Sequence, residues 1–275
     1  MPATTKEKRD VFRKLHERGC FVLPNPWDVG SARMFQQMGF VALASTSSGF
    51  AWSTGRPDYA VTRDEILEHL ASLSSSVDLP VNADFESGFA SEVGALAENV
   101  TLAVRTGVAG ISIEDRKIDK ISELYASDVA VERLVSARRA IDQTGESVVL
   151  VARTEGLLID PAAVTTAIDK LVAFADAGAD CLYAPGVREK SHIEAMVRAV
   201  APKPLNVLVM GPGLSVAQLA DLGVRRISVG GALARVGWGS IKAAAEQIRA
   251  GSFETLTSDF TGAQLNKIFD RSLQD

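Results

Sequence analysis

The chain has 275 residues, 47% of them hydrophobic, and a formal net charge of −5. It can bury one large core, and it is too acidic and too poor in basic–aromatic runs for nucleic acid to be its main partner. No apolar stretch approaches the roughly 18 residues of a spanning helix, and the opening MPATTKEKRDVFRKL is charged and helical in character, so a soluble cytoplasmic protein without a membrane partner is expected.

In chain order, short apolar runs alternate with amphipathic helices. Phe21–Leu23 precedes a helix over Ser31–Met38, and Val41–Ala44 precedes Arg63–Leu73. Val81–Phe85 leads to Ser91–Thr106, Ile111–Glu114 to Val129–Thr144, and Val148–Arg153 to Pro161–Ala177. The last units are Cys181–Ala184 with Ile193–Ala199, Leu205–Val209 with Val216–Leu222, and Arg226–Gly230 with Ala232–Arg249. Gly39, Gly107, Gly178 and Gly223 each follow a helix where a left-handed C-cap is needed before the next strand. Eight such units predict a single (β/α)8 TIM barrel over 1–275. A doubly wound open sheet is the alternative, disfavoured by the lack of a dinucleotide fingerprint. Residues 252–275 form a C-terminal extension, helical over Phe253–Gln274.

A barrel places functional residues at the C-terminal ends of its strands, and polar residues do gather there. Thr46, Ser47 and Ser48 follow the second strand, Asp84 and Glu86 the third, Glu114 the fourth, Arg153 and Glu155 the fifth, and Asn206 lies on the seventh. Asp84 and Glu86 are two residues apart, which on a strand sets both on one face. Such repelling acids suit a divalent cation such as Mg²⁺, which needs only one or two carboxylates and leaves room for substrate oxygens. Glu114 reads either as part of this site or as a salt-bridge partner of Arg116 or Arg153. Arg153 reads as a bidentate clamp for a substrate carboxylate or as a structural ion pair. The Ser45–Gly49 stretch is either a polar turn or a donor set for a carboxylate or oxyanion, and Asp58 taken alone is a turn residue. The long connection Arg116–Asp128, with Lys117 and Lys120, has the length of a lid. His16, His69 and His192 fall in helical segments, and only His192 begins a helix where it could approach a site. A His-based triad or zinc site is therefore not expected. Cys20 and Cys181 read as free buried thiols.

These pieces together resemble the isocitrate lyase/phosphoenolpyruvate mutase superfamily over nearly the whole chain. The resemblance rests on Asn25-Pro26-Trp27-Asp28 with Ser31-Ala32-Arg33, Gly55-x-Pro57-Asp58, Asp84-x-Glu86-x-Gly88-Phe89, Ile113-Glu114-Asp115, Ala152-Arg153-Thr154 and Pro204-Leu205-Asn206-Val207. It implies a Mg²⁺-dependent barrel (Mn²⁺ an alternative) acting on 2-oxo acids, assembled as a homodimer or homotetramer with C-terminal helices exchanged between subunits. It implies Asp84 as the metal ligand, directly or through water, with Asp58, Glu86 and Glu114 supporting the metal's waters. Thr46, Ser47 and Ser48 would hold the substrate's carboxylate and oxo groups, and Arg153 matches the substrate-binding arginine.

The chain departs from the pattern on the lid. The lyase signature Lys-(Lys/Arg)-Cys-Gly-His is replaced by Arg116-Lys-Ile-Asp-Lys-Ile-Ser-Glu-Leu-Tyr125, and Pro185-Gly186 stands where those lyases carry a Glu. Lys120 fits the mutase lid lysine, but Ser122 stands in place of its Asn. The expectation is a carbon–carbon lyase of a small 2-oxo acid or dicarboxylate, of the oxaloacetate decarboxylase-like group, with Lys120 or Tyr125 returning the proton. The alternatives are P–C chemistry on phosphonopyruvate and a 2-oxo acid binding protein of little activity.

Overall fold

The computed structural model describes residues 2–257 and 260–270. Helix α1 (Thr5–Leu15) precedes β1 (Phe21–Leu23), and α2 (Val29–Gln37) leads to β2 (Leu43–Ala44). Next come α3 (Ser47–Ser53), α4 (Arg63–Ser76), β3 (Val81–Asp84), α5 (Val93–Arg105) and β4 (Gly110–Glu114). Then follow α6 (Ser127–Gln143), β5 (Val149–Arg153), α7 (Gly156–Ile159), α8 (Val164–Asp176) and β6 (Cys181–Tyr183). The chain continues through α9 (Lys190–Val200), β7 (Leu205–Leu208), α10 (Val216–Asp221), β8 (Arg226–Ser228), α11 (Ala232–Arg249) and α12 (Gly262–Phe269). The eight strands are parallel, in the order β1-β8-β7-β6-β5-β4-β3-β2. Across the seam between β1 and β2, the Ala44 amide donates to the Pro24 carbonyl at 3.2 Å. The architecture is the expected (β/α)8 barrel.

Local chemistry fixes many of the boundaries. Asp28 caps α2 in a capping box with Ser31, and Thr62 caps α4 with Glu65. The four glycines expected at helix ends all have positive φ, from 83° at Gly39 to 97° at Gly178. Three short pieces differ from the sequence reading. β2 is only two residues long, and the hydroxyl-rich stretch after it is no open turn but the start of α3, capped by Thr46. α7 follows β5 directly, and α8 starts at Val164 rather than Pro161. Of the expected helical tail, α12 is present and rests on α2. Residues 258–259 and 271–274 lie outside the described residues.

Strand alternation divides the interior. Leu150 and Ala152 face the helices, whereas Val149 and Val151 point into the barrel with Phe21, Leu23, Ala44 and Cys181. Helix α1 closes the lower mouth by driving fully buried Phe12 into that inner cluster. Gly110 makes room for it: a Cβ there would lie 2.6 Å from Phe12 Cε1 and 2.5 Å from Asn82 Oδ1. A polar layer sits on this apolar plug. Arg226 Nε donates to Asn206 Oδ1 at 3.0 Å, and its Nη1 reaches Asn82 Oδ1 at 3.3 Å. Above that layer the barrel is open.

Candidate active site

A cavity of about 240 Å³ occupies the upper mouth. Asn25 shapes it by joining three strand ends: its Nδ2 donates to the Ser45 carbonyl, and its Oδ1 accepts from the amides of Val229 and Gly230, all at 2.9 Å. Thr46, Ser47, Ser48, Asp58, Asp84 and Arg153 line the cavity. The structure therefore brings these six expected side chains together, and Glu155, expected at the end of the fifth strand, joins them.

Asp84 is the centre of the arrangement. Its Oδ2 accepts from both the amide and the hydroxyl of Ser47 at 3.0 Å, and its Oδ1 faces Arg153 Nη1 at 3.2 Å. The neighbouring Thr46 and Ser48 hydroxyls lie 3.1 Å apart. Glu86 does not continue the strand. It lies beyond β3 with a left-handed φ of 47°, so the alternation argument that set it beside Asp84 does not hold there. It is buried behind the cavity wall, and its Oε1 has no hydrogen-bond partner. Burial, reinforced by the charges of Asp84, Glu114 and Asp58, lifts its carboxyl to about 9. Desolvation in the mouth, then Asp84, raises Asp58 to about 6.

Glu114 ends β4 behind the wall, buried beneath Arg153. It lies 3.4 Å from Arg153 Nε and accepts the Tyr59 hydroxyl at 3.0 Å. Burial raises its carboxyl; Arg153 opposes the shift, while Glu155 and Asp84 add to it. Arg153 thus meets Asp84, Glu114 and Glu155 at once. Burial works against its charge, but these carboxylates hold the guanidinium firmly protonated. It is both readings in one: an ion-pair hub and a cation on the cavity wall.

The remaining expected residues lie elsewhere. Asn206 sits in the polar floor, with its Oδ1 taken by Arg226 and its Nδ2 donated to Ser228 Oγ at 3.0 Å. Lys120 is exposed on the lid, 3.4 Å from Glu123 Oε1, outside the cavity wall. Tyr125 also stays out of the wall; its ring lies under the Arg133 guanidinium at 4.3 Å. His192 does not line the cavity either. Several wall residues were not foreseen. Tyr59 follows Asp58 with a left-handed φ of 63°. Arg116 at the root of the lid bonds Glu155 Oε2 at 3.0 Å, and Tyr183 carries Arg153 over its ring at 5.3 Å. Charge at the end of β4 was the available signal for Arg116, whose partner Glu155 was expected at the end of the fifth strand and does line the cavity; an isolated Tyr in a turn gave none.

The wall and its backing hold five carboxylates (Asp58, Asp84, Glu86, Glu114, Glu155) against the guanidiniums of Arg153 and Arg116, with that of Arg226 in the floor. This excess is what a hard cation would relieve. Among the described residues no three His, Cys, Asp or Glu side chains converge as a ready cage. The donor set therefore fits Mg²⁺, which takes one or two carboxylates and keeps several waters, better than an ion that demands a full protein shell.

The family model described as phosphoenolpyruvate phosphomutase matches residues 12–249. A solved structure of a candidate lyase/mutase from Burkholderia cenocepacia J2315 is 43% identical, covers 96% of this chain and 97% of its own, and superposes with a TM-score of 0.93. The oxaloacetate decarboxylase of Pseudomonas paraeruginosa (strain DSM 24068 / PA7) is 30% identical over 96% of this chain and 92% of its own. A crystal structure of 2,3-dimethylmalate lyase is 26% identical over 98% and 95% of the two chains, with a TM-score of 0.83.

Proposed function

The chain belongs to the phosphoenolpyruvate phosphomutase family, and from that premise we propose that it is a Mg²⁺-dependent carbon–carbon lyase of a small 2-oxo acid, with oxaloacetate-like dicarboxylates as first candidates. The observation that carries this reading is the surplus of carboxylates around Asp84, with Glu86 Oε1 buried and unpaired, gathered about the Arg153 guanidinium on the wall of a cavity sized for a small acid. The likeness to oxaloacetate decarboxylase and 2,3-dimethylmalate lyase supports the reaction class.

In this reading Asp84 would hold the metal, directly or through water, and Asp58, Glu86 and Glu114 would support the metal's waters. Mg²⁺ or Mn²⁺ held there would supply Lewis-acid stabilisation of negative charge on the 2-oxo oxygen. Thr46 and Ser48 offer hydroxyls to the carboxylate and oxo groups, and Ser47 between them orients Asp84 through its amide and hydroxyl. Arg153 orients the carboxylate, already pinned in place by its three acidic partners. Decarboxylation needs no acid at the breaking bond, which suits a lid without Cys or His. Lys120 returns the proton once it leaves Glu123 and the lid folds over the cavity.

A substrate panel with Mg²⁺ tests the proposal. Turnover of oxaloacetate, abolished by Asp84→Ala, is the expected result. Phosphate release from phosphonopyruvate would replace it with P–C chemistry, and binding of 2-oxo dicarboxylates without turnover would make the chain a binding protein.

Self-association through the C-terminal helices belongs to the same proposal. In α11 only Ala234 is buried, while Val236, Trp238, Ile241 and Ile248 are exposed, as are Phe253 and Leu256 beyond it. An apolar surface of this extent marks an interface, which suits a homodimer or homotetramer exchanging these helices. Sedimentation velocity is expected to show an oligomer that Ile241→Glu splits.

A further inference from the structure

Helix α8 contains a residue that its own periodicity forbids. Its buried face runs Ala167, Lys170, Leu171, Phe174, so a lysine occupies a core position. A buried ammonium needs a partner, and Lys170 Nζ finds Asp115 Oδ2 at 2.7 Å. Asp115 is itself buried at the end of β4, and both its oxygens are engaged. Oδ2 also accepts the Thr154 hydroxyl at 2.8 Å, and Oδ1 accepts the Glu155 amide at 2.9 Å. Glu155 in turn holds Arg153 on one oxygen and Arg116 on the other.

The same pair reaches the far root of the lid. The Tyr125 amide donates to the Asp115 carbonyl at 2.8 Å, and Lys170 Nζ approaches the Tyr125 carbonyl at 3.4 Å. Between the two roots the lid is a small hairpin closed by the Arg116–Leu124 bridge. Arg116 at one end and Tyr125 at the other are thus referred to one buried ion pair outside the cavity.

We infer that Lys170 and Asp115 are positioning residues, a shared anchor that sets both roots of the lid and the Arg153–Glu155 strand end in one register. They touch no substrate. Only the kinetic half of this inference rests on the function proposed above; the mechanical half stands on the contacts alone.

The test compares Lys170→Met with Lys170→Arg in the full-length protein. Lys170→Met is expected to speed tryptic cleavage at Arg116, Lys117 and Lys120, and hydrogen exchange over 116–125, while exchange in β1 and β8 stays unchanged. With Mg²⁺ and oxaloacetate it is expected to lower kcat/KM by about ten- to hundredfold, as the loss of an outer-shell partner does, and Lys170→Arg recovers most of both effects. Uniformly faster exchange along the chain, or a folded Lys170→Met with an unchanged lid, would overturn the inference. Where Lys170→Met does not fold, Thr154→Val removes one bond to Asp115 without stranding a charge. Faster lid cleavage in that variant supports the anchor, and unchanged cleavage overturns it. If no 2-oxo acid is turned over by the native protein, the proposed reaction fails while the cleavage and exchange measurements still decide the anchor.

Discussion

The two ends of the barrel are built from the same eight strands and solve opposite problems. At the lower end apolar packing and neutral polar partners prevail: Phe12 fills the bore, and the Arg226 guanidinium is shared between the amide oxygens of Asn82 and Asn206. At the upper end carboxylates crowd together, Glu86 carries an unpaired oxygen, and Tyr59, Glu86 and Phe89 hold left-handed backbone conformations. Strain and unbalanced charge of this kind accumulate where a ligand is to be met. The lower end stabilises the fold; the upper end spends part of that stability on a site.

Four substitutions put this contrast to the test. Asp84→Ala should cost about a thousandfold in kcat, yet shift unfolding by no more than about 1 kcal/mol, because it also relieves the repulsion on Asp58 and Glu86. Kinetics with Mg²⁺ and urea unfolding on one preparation check both halves. Phe12→Ala is the converse: roughly 3–5 kcal/mol of stability lost to a cavity, with kcat retained in the folded fraction below the transition.

Glu86→Gln probes the charge surplus. The carboxyl is lifted to about 9 in the folded chain from an ordinary 4.5, so folding binds a proton between those values and stability is lost as pH rises through that window. Without metal the Gln variant should be more stable than the native protein by roughly 4–5 kcal/mol near pH 8, with little advantage at pH 4.5, and added Mg²⁺ should narrow the gap. His16 tests the lower end. Its Nδ1 faces the Phe12 carbonyl at 2.8 Å, so that nitrogen carries the proton, and its bare Nε2 faces Arg226 Nη1 at 3.5 Å. Burial, then the charge of Arg226, depresses its pKa from 6.5 to about 3. The unfolded ring protonates first, so this contribution is complete above pH 6.5 and is lost as pH falls, by roughly 2 kcal/mol at pH 5. His16→Gln should flatten that part of the stability profile; an unchanged acid slope would remove His16 from the account.

Much of the upper end was legible because its rules are periodic. Strands of about five residues, helix-ending glycines and acids at strand ends give the barrel and place Asp84, Glu114 and Arg153. What escaped has no period. α3 and α7 are too short to show one. Glu86 left the strand through a left-handed residue, so counting by twos no longer applied. Asn206 shows the need for register: paired with Arg226 across the β7–β8 ladder, it sits a layer too low for the cavity. Lys170 was visible as a lysine on an apolar stripe, but its meaning depends on Asp115, fifty-five positions earlier.

The plug of Phe12 beneath the Asn82–Arg226–Asn206 layer has a kinetic corollary. A bore stoppered at one end has a single door, so substrate and both fragments of a cleavage share one route. Whichever fragment lies nearer the lid must depart first, and the deeper one waits behind it. Product inhibition by the deeper fragment should then be competitive with substrate, and the order of release is written into the depth of the barrel rather than into any contact at its mouth.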